Sequence, residues 1–171
     1  MKVIMVMVMT IDGKIARNDH QFVDWSSRED KKSFFDATKQ AGVLILGHNT
    51  FKTFDTPLPG RLHVVITSKD MHDKSIPGSV EYTTKSPQEI VDDLEQRGYK
   101  EAALTGGAHV NALFLKANLV DEIWLTIEPL VFGEGLGLFS GGEFNVRGRL
   151  LEVTRLNDKG TLHLKYSLRD E

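Results

Sequence analysis

The chain has 171 residues, of which 40% are hydrophobic and 26% charged, as is typical of one globular domain with an ordinary core. The net charge of −3 argues against a nucleic-acid-binding surface, because such domains are usually basic. There is no cysteine, and the six histidines lack metal-ligand spacing, so we expect neither a disulfide nor a metal site. No stretch reaches the roughly 20 apolar residues of a membrane helix. We therefore expect a single cytoplasmic domain over residues 1–171 with no membrane partner.

Strands and helices are predicted to alternate along most of the chain. Apolar runs predict strands at residues 2–9, 43–46, 62–67, 102–105 and 122–127. Apolar spacing and capping signals predict helices at residues 28–41, 86–97 and 108–117, with a further helix opened by Asn49 and Thr50.

The C-terminal segment has a different pattern. Its apolar residues alternate strictly, at Leu162, Leu164, Tyr166 and Leu168. The sequence NDKG at residues 157–160 supplies a turn before them. Together these features predict a three-layer α/β fold, in which helices flank a central mixed, mostly parallel sheet and an antiparallel hairpin ends the chain.

Asp30 lies in the first turn of the first predicted helix and has two interpretations. It follows Ser27 by three residues, which is close to a capping box, and first-turn acids stabilise the helix dipole. Helical spacing, however, places it on an otherwise apolar face with Phe34, Ala37 and Ala41. A carboxylate directed into a core is costly unless another group pairs with it. Spacing alone leaves open both a capping role and a proton-handling role in a buried pocket.

Small and polar residues follow three of the predicted strands. Gly106 and Gly107 separate a strand from a helix, Gly47 has the same setting, and Thr67 and Ser68 end the third strand. Each is a plausible tight turn, and each also suits a phosphate held by backbone N–H groups. Ligands of open α/β sheets bind at the carboxyl ends of the strands, which favours a ligand site here.

Taken in order, these segments resemble dihydrofolate reductase and its superfamily relative, the riboflavin-pathway pyrimidine reductase domain. The resemblance covers nearly the whole chain. It rests on DGKIA after the first strand, the Trp25-to-Asp30 spacing with Phe34 one turn on, GHNTF, LPGR followed by a strand and Thr67-Ser68, LTGGAHV, and DEIWLTI. LPGR and the Trp25–Asp30 spacing favour the folate enzyme.

The resemblance implies NADPH-dependent reduction of 7,8-dihydrofolate, with hydride transfer to the pterin and protonation of a ring nitrogen. Asp30 would bind the pterin and act near the proton transfer, supported by a hydrogen bond from Thr126. Trp25 would close the site and hold an ordered water. Phe34 would pack on the ring system, and Arg61 would pair with the glutamate carboxylate of folate.

The resemblance also implies the cofactor contacts. Val8, Ile15 and Ala16 would lie near the nicotinamide. The remaining cofactor residues follow the strands and are Gly47, His48, Asn49, Thr50, Thr67, Ser68, Lys69, Thr105, Gly106, Gly107, Ala108, His109 and Val110.

The chain departs from the dihydrofolate reductase pattern at three places. His48 replaces an arginine that helps to hold the extra phosphate of NADPH, and Lys69 is expected to compensate. Asn111 replaces a tyrosine near the nicotinamide, and the stretch 17–24 is longer than the usual mobile loop. The alternatives are a riboflavin-type aminopyrimidine reductase and a catalytically silent nucleotide-binding domain. The oligomeric state is expected to be monomer or homodimer.

Overall fold

The computed structural model describes residues 1–18 and 21–169. Its strands are β1 (Lys2–Thr10), β2 (Lys14–Ala16), β3 (Val43–Gly47), β4 (Leu62–Ile66), β5 (Val80–Thr83), β6 (Glu101–Leu104), β7 (Glu122–Glu128), β8 (Leu136–Gly137), β9 (Arg149–Arg155) and β10 (Leu162–Ser167). Its helices are α1 (Arg28–Ala41), α2 (His48–Phe51), α3 (Pro87–Gln96) and α4 (Ala108–Lys116), with a short 3-10 turn at His72–Lys74.

The described strands form one eight-stranded sheet, in the order β5-β4-β3-β6-β1-β7-β10-β9, and a separate β2–β8 pair. Neighbouring strands from β5 to β7 are parallel. Strand β10 runs antiparallel to both β7 and β9, which closes the chain in a hairpin. The predicted α/β fold with a mixed, mostly parallel sheet and a C-terminal antiparallel hairpin is confirmed.

Alternate residues of β1 enter two different cores. Val3 and Met5 pack with residues of α3 and α4, among them Leu94 and Phe114. The residues between them, such as Ile4, pack on the other face against α1. The sheet is therefore covered on both faces, which explains why β1 reads as a continuous apolar run.

Helix α1 shows how the sequence sets the boundaries of an element. Ser27 is its N-cap and accepts a hydrogen bond from the backbone N–H of Asp30, at 3.1 Å. The helix ends at Gly42, whose φ of 73° is the left-handed conformation that glycine adopts readily. Helix α3 likewise begins after Ser86, with Glu89 completing a capping box.

The predicted elements are all present, with ends that differ by one or two residues. Strand β5 and the β2–β8 pair were not predicted. Residues 19 and 20, within the long stretch 17–24, lie outside the described part of the chain. Among the described residues, no helix has both the length and the apolar character needed to cross a bilayer.

Candidate active site

A cavity of about 1080 Å³ lies at the carboxyl ends of the central strands. Its volume exceeds the roughly 300–1,000 Å³ of most small-molecule pockets. All but three of the residues predicted for the site line this cavity. They are Val8, Ile15, Ala16, Asp30, Phe34, Gly47, His48, Asn49, Thr50, Thr67, Ser68, Thr105, Gly106, Gly107, Ala108, His109, Val110 and Thr126.

The carboxylate of Asp30 is not used for capping. The Asp30 backbone N–H caps the helix through Ser27, but the reciprocal bond of a capping box goes elsewhere, because the Ser27 N–H donates to Glu128 Oε1 at 2.7 Å. The Asp30 side chain instead lines the cavity, and the residue is 6% exposed. Of the two interpretations of Asp30, the structure favours a buried carboxylate that faces a ligand site.

Burial raises the pKa of the Asp30 carboxyl, because desolvation disfavours its charged form. The nearby Thr126 and Ser26 hydroxyls oppose this shift, and the negative charge of Glu128 adds to it. Ser26 is buried and lines the cavity beside this carboxyl. This carboxyl is thus held closer to protonation at neutral pH than an exposed aspartate, as a group that donates a proton requires.

Thr126 connects Asp30 to a residue that the sequence did not single out. Its Oγ1 lies 3.1 Å from Nδ1 of His163, and His163 also lines the cavity. Burial and the charge of Lys165 lower the pKa of His163. The imidazole is therefore neutral at pH 7.

Two glycines allow the backbone of β3 and the start of α4 to meet at the cavity. Gly47 N donates to Gly106 O at 2.8 Å. A Cβ on Gly47 would lie 3.1 Å from Val110 Cγ2, and one on Gly107 would lie 3.1 Å from Thr50 Oγ1. Side chains at either position would crowd this wall, which explains the two glycines.

The first turn of α4 is suited to an anion. Gly107 is its N-cap and supplies no side-chain capping bond, so the first N–H groups have no partner within the helix. Ala108, His109 and Val110 of this turn line the cavity. Unpaired N–H groups and the positive end of the helix dipole favour a phosphate at this position.

Lys85 is a cation that the sequence did not single out and that lines the cavity. It lines the cavity with Thr67, Ser68 and Ser86, whereas Lys69, which the sequence suggested, does not. Lys85 follows β5, and this strand pairs with β4 and so brings Lys85 beside the end of β4. The prediction that Lys69 compensates for the missing arginine is therefore not supported by its position.

His48 lines the same region and packs edge-on against Tyr82, with ring centroids 5.6 Å apart. Burial lowers its pKa, and the charges of Lys52 and Lys74 lower it further. His48 is therefore neutral at pH 7 and offers a hydrogen bond where an arginine would offer a positive charge.

Trp25 and Arg61 are the other two predicted residues that do not line the cavity. Trp25 packs edge-on against Phe132, with ring centroids 5.1 Å apart. Arg61 is 3% exposed, and its guanidinium lies 4.1 Å above the ring of Phe35. It donates to the backbone oxygens of Pro59 and Phe35 at 3.0 and 2.9 Å, so it ties α1 to the loop before β4.

We expect Arg61→Leu to lower the free energy of unfolding by about 1–3 kcal/mol, because the Pro59 and Phe35 carbonyls lose their donor and the Phe35 ring loses the guanidinium that lies above it. Urea denaturation would measure the loss, and the exposed Arg28→Leu is the matched control. Cofactor affinity, measured by titration under native conditions, should stay within about twofold, since Arg61 lies outside the cavity. A stable Arg61→Leu protein with weakened ligand binding would contradict this structural role.

Three aromatic side chains that the sequence did not single out also line the cavity. They are Phe22, Phe35 and Phe54, which join the predicted Phe34. A planar ring can stack against such a wall. Neither the spacing of these residues nor the hydropathy of their segments indicated the site, because they come from a loop, a helix and a turn that only the fold brings together.

Comparison with known proteins identifies the family. The model of the family described as "RibD C-terminal domain" matches residues 1–162. Protein YyaP of Bacillus subtilis (strain 168) is 25% identical over 178 residues, which cover 96% of this chain and 94% of YyaP.

Solved structures show the same fold. A pyrimidine reductase-like protein of Corynebacterium diphtheriae superposes with a TM-score of 0.78 at 16% identity, covering 99% of this chain and 92% of that one. A diaminohydroxyphosphoribosylaminopyrimidine deaminase/5-amino-6-(5-phosphoribosylamino)uracil reductase of Thermotoga maritima superposes with a TM-score of 0.81 at 17% identity. This chain is covered to 98% but spans only 56% of that larger protein.

The prediction of dihydrofolate reduction is wrong. The family match and the structural neighbours belong to the riboflavin-type reductases, which the sequence offered as the alternative. The structure supplies a physical reason, because Arg61, assigned to the folate carboxylate, is buried against the Phe35 ring and backbone carbonyls instead of facing the cavity. Since the family model matches residues 1–162 of 171, the chain belongs to the RibD C-terminal domain family.

Proposed function

We propose that this protein is an NADPH-dependent reductase of a planar aminopyrimidine. The observation that carries the proposal is the buried Asp30 carboxyl in a cavity that strand-end glycines and the first turn of α4 also line. One cavity thus offers a proton-handling group and a place for a phosphorylated nucleotide. A reduction by a nicotinamide dinucleotide needs a proton donor for the substrate and a site for the cofactor phosphates.

The residues present fit a dinucleotide. Gly47 and Gly107 keep the wall free of side chains where a Cβ would crowd it, and the unpaired N–H groups of α4 suit a pyrophosphate. Thr67, Ser68 and Lys85 supply hydroxyls and a positive charge for an additional phosphate. Val8, Ile15 and Ala16 offer an apolar surface for the nicotinamide. The volume of about 1080 Å³ leaves room for a second, smaller molecule.

The bound nicotinamide would supply a hydride. When the sugar ring of a ribosylamino group opens, the nitrogen and the sugar carbon form a C=N bond; hydride addition to that carbon also needs a proton at the nitrogen, and Asp30 is the buried carboxyl that lines the cavity. Asp30 would hold that proton, because burial raises its pKa, and would donate it as the nitrogen gains electron density. The Thr126 and Ser26 hydroxyls would then stabilise the carboxylate that remains.

The substrate end favours a flat heterocycle with N–H groups. Phe34 and Phe54 offer aromatic faces and Leu58 an apolar surface, while the protonated Asp30 carboxyl can donate to a ring nitrogen and accept from an adjacent N–H group. An aminopyrimidine has this combination of a planar ring and neighbouring donors. The Thermotoga maritima relative is described as a reductase of such a compound.

The direct test is oxidation of NADPH by the purified protein with 5-amino-6-(5-phosphoribosylamino)uracil. We expect absorbance loss that depends on both enzyme and pyrimidine, and a product heavier by two hydrogens in mass spectrometry. NADPH binding without oxidation would count against the proposal and would favour the nucleotide-binding alternative. Dihydrofolate is the comparison substrate, and we expect no NADPH oxidation with it.

A further inference from the structure

We propose that His163 is a positioning residue that orients and tunes Asp30 through the hydroxyl of Thr126. The consequence for turnover rests on the proposed function, but the arrangement itself can be tested in the free protein.

The sheet register brings the two residues together. Strand β10 pairs antiparallel with β7 so that His163 lies directly opposite Thr126, and both side chains project to the face that α1 covers. Thr126 is 1% exposed and His163 is 8% exposed. The Oγ1–Nδ1 distance of 3.1 Å is that of a hydrogen bond. Asp30, Thr126 and His163 line the same cavity, and the Thr126 hydroxyl lowers the pKa of the Asp30 carboxyl as a hydrogen-bond donor, so one hydroxyl links the acid to the imidazole.

The direction of the hydrogen bonds follows from the donors available. A threonine hydroxyl has one proton to donate, and an ionised carboxylate is a stronger acceptor than a neutral imidazole nitrogen. Thr126 therefore donates to Asp30 when that carboxyl is ionised, and His163 must donate its Nδ1–H to Thr126 Oγ1. This order fixes the neutral imidazole as the Nδ1–H tautomer, with the lone pair on Nε2. A donor bonded to the hydroxyl oxygen polarises the O–H bond and strengthens its bond to the carboxylate.

Charged side chains act on both ends of the hydrogen-bonded series formed by Asp30, Thr126 and His163. Lys165 on β10 lowers the pKa of His163, whereas Glu152 on β9 raises it. Glu128 on β7 raises the pKa of Asp30, and Lys31 on α1 lowers it.

Glu128 is itself held in place, because it accepts hydrogen bonds from Ser27 N and from Thr161 Oγ1, each at 2.7 Å. A negative charge fixed next to Asp30 makes ionisation harder. The donors on the other side, His163 and Thr126, oppose that effect. The proton affinity of Asp30 thus depends on the balance between the negative charge of Glu128 and the hydrogen-bond donors Thr126 and His163.

The test is the titration of Asp30 in the free protein, followed by NMR of carboxyl-¹³C-labelled aspartate and assigned with Asp30→Asn. His163→Leu removes the donor, and His163→Asn keeps an N–H at the Nδ1 position but does not titrate. We expect the Asp30 midpoint to lie about 0.5 pH unit or more higher in His163→Leu than in wild type, and within about 0.2 pH unit of wild type in His163→Asn. His72→Asn, at an exposed position away from this wall, is the control and should change nothing.

An Asp30 midpoint in His163→Leu that equals or lies below the wild-type value would overturn the proposal. The ¹⁵N shifts of His163 in the wild type give a second reading that does not depend on any variant folding. At a pH above the Asp30 midpoint they should report a protonated Nδ1 and an unprotonated Nε2, and the opposite tautomer at that pH would also overturn it.

Turnover separates this proposal from the proposed function. If the protein reduces the pyrimidine compound, the pH above which kcat/KM falls should be higher in His163→Leu than in wild type. In His163→Asn it should return to the wild-type value, which a purely structural role would not produce. If no reduction is detected, the proposed function fails, and the NMR midpoints still decide the role of His163.

Discussion

Asp30→Asn is expected to reduce turnover at least about 100-fold near neutral pH while leaving cofactor affinity nearly unchanged. The amide has the shape of the carboxyl but cannot donate a proton and leave a stabilised anion. Asp30 is not among the glycines and first-turn residues of α4 that are proposed to hold the nucleotide, so nucleotide contacts should persist. The measurements are kcat and the NADPH dissociation constant. Glu29→Gln is the matched control, since this neighbouring acid is exposed and hydrogen-bonds Asn157.

The pH dependence of turnover gives a second sign of the same role. Because burial raises the pKa of Asp30, the protonated acid persists to higher pH than in an exposed aspartate, and activity should fall as pH rises through that raised value. In Asp30→Asn this fall of activity with rising pH should be absent. The variant should regain part of its rate at low pH, where solvent can protonate the substrate. Wild-type turnover in Asp30→Asn would show that the carboxyl does not handle the proton.

Asp30→Asn is expected to affect stability in the opposite direction to turnover. A carboxyl whose pKa is raised by folding contributes stability that is fully present below its unfolded pKa and lost as pH rises through its folded pKa. At neutral pH the ionised Asp30 is therefore a cost to the fold. Asp30→Asn should be at least as stable as wild type in urea denaturation, which separates loss of chemistry from loss of structure.

Local patterns in the sequence were sufficient to predict most of the secondary structure. The run of apolar residues in β1 and the spacing in α1 each reflect a single physical cause, burial on two faces or on one. Strand β5 was missed because its four residues, VEYT, include a charged residue and show no extended apolar run. That omission mattered, because β5 delivers Lys85 to the cavity.

The candidate site was predictable only in part, for a related reason. The glycines after β3 and β6 are recognisable locally, because a strand that ends at a glycine and leads into a helix is a local signal. The roles of His163 and Arg61 depend on contacts between distant segments. His163 faces Thr126 only because β10 inserts between β7 and β9, and Arg61 meets Phe35 only because the loop before β4 lies against α1. Neither arrangement leaves a signal in residue spacing.

Lys85→Gln is expected to reduce the preference for NADPH over NADH by roughly 10- to 100-fold in kcat/KM, whereas Lys69→Gln should change it by less than about twofold. The two lysines follow neighbouring strands and differ in position, since Lys85 lines the cavity beside Thr67 and Ser68 and Lys69 does not. The extra phosphate of NADPH carries close to two negative charges, and a charge-assisted contact to it is worth about 1.5–3 kcal/mol. NADH lacks this phosphate, so its kcat/KM should be almost unaffected.

The surroundings of Lys85 leave it available for such a contact. Its only described ion pair is to Asp93 at 3.3 Å, and both side chains are well exposed, so the pair is weak and can yield to a phosphate. His48 cannot replace the charge at neutral pH, because burial lowers its pKa. The preference for NADPH should also weaken as salt concentration rises, since the Lys85 side chain is exposed to solvent. If Lys69→Gln instead abolishes the preference and Lys85→Gln leaves it intact, the phosphate lies at the site that the sequence indicated and not at the end of β5.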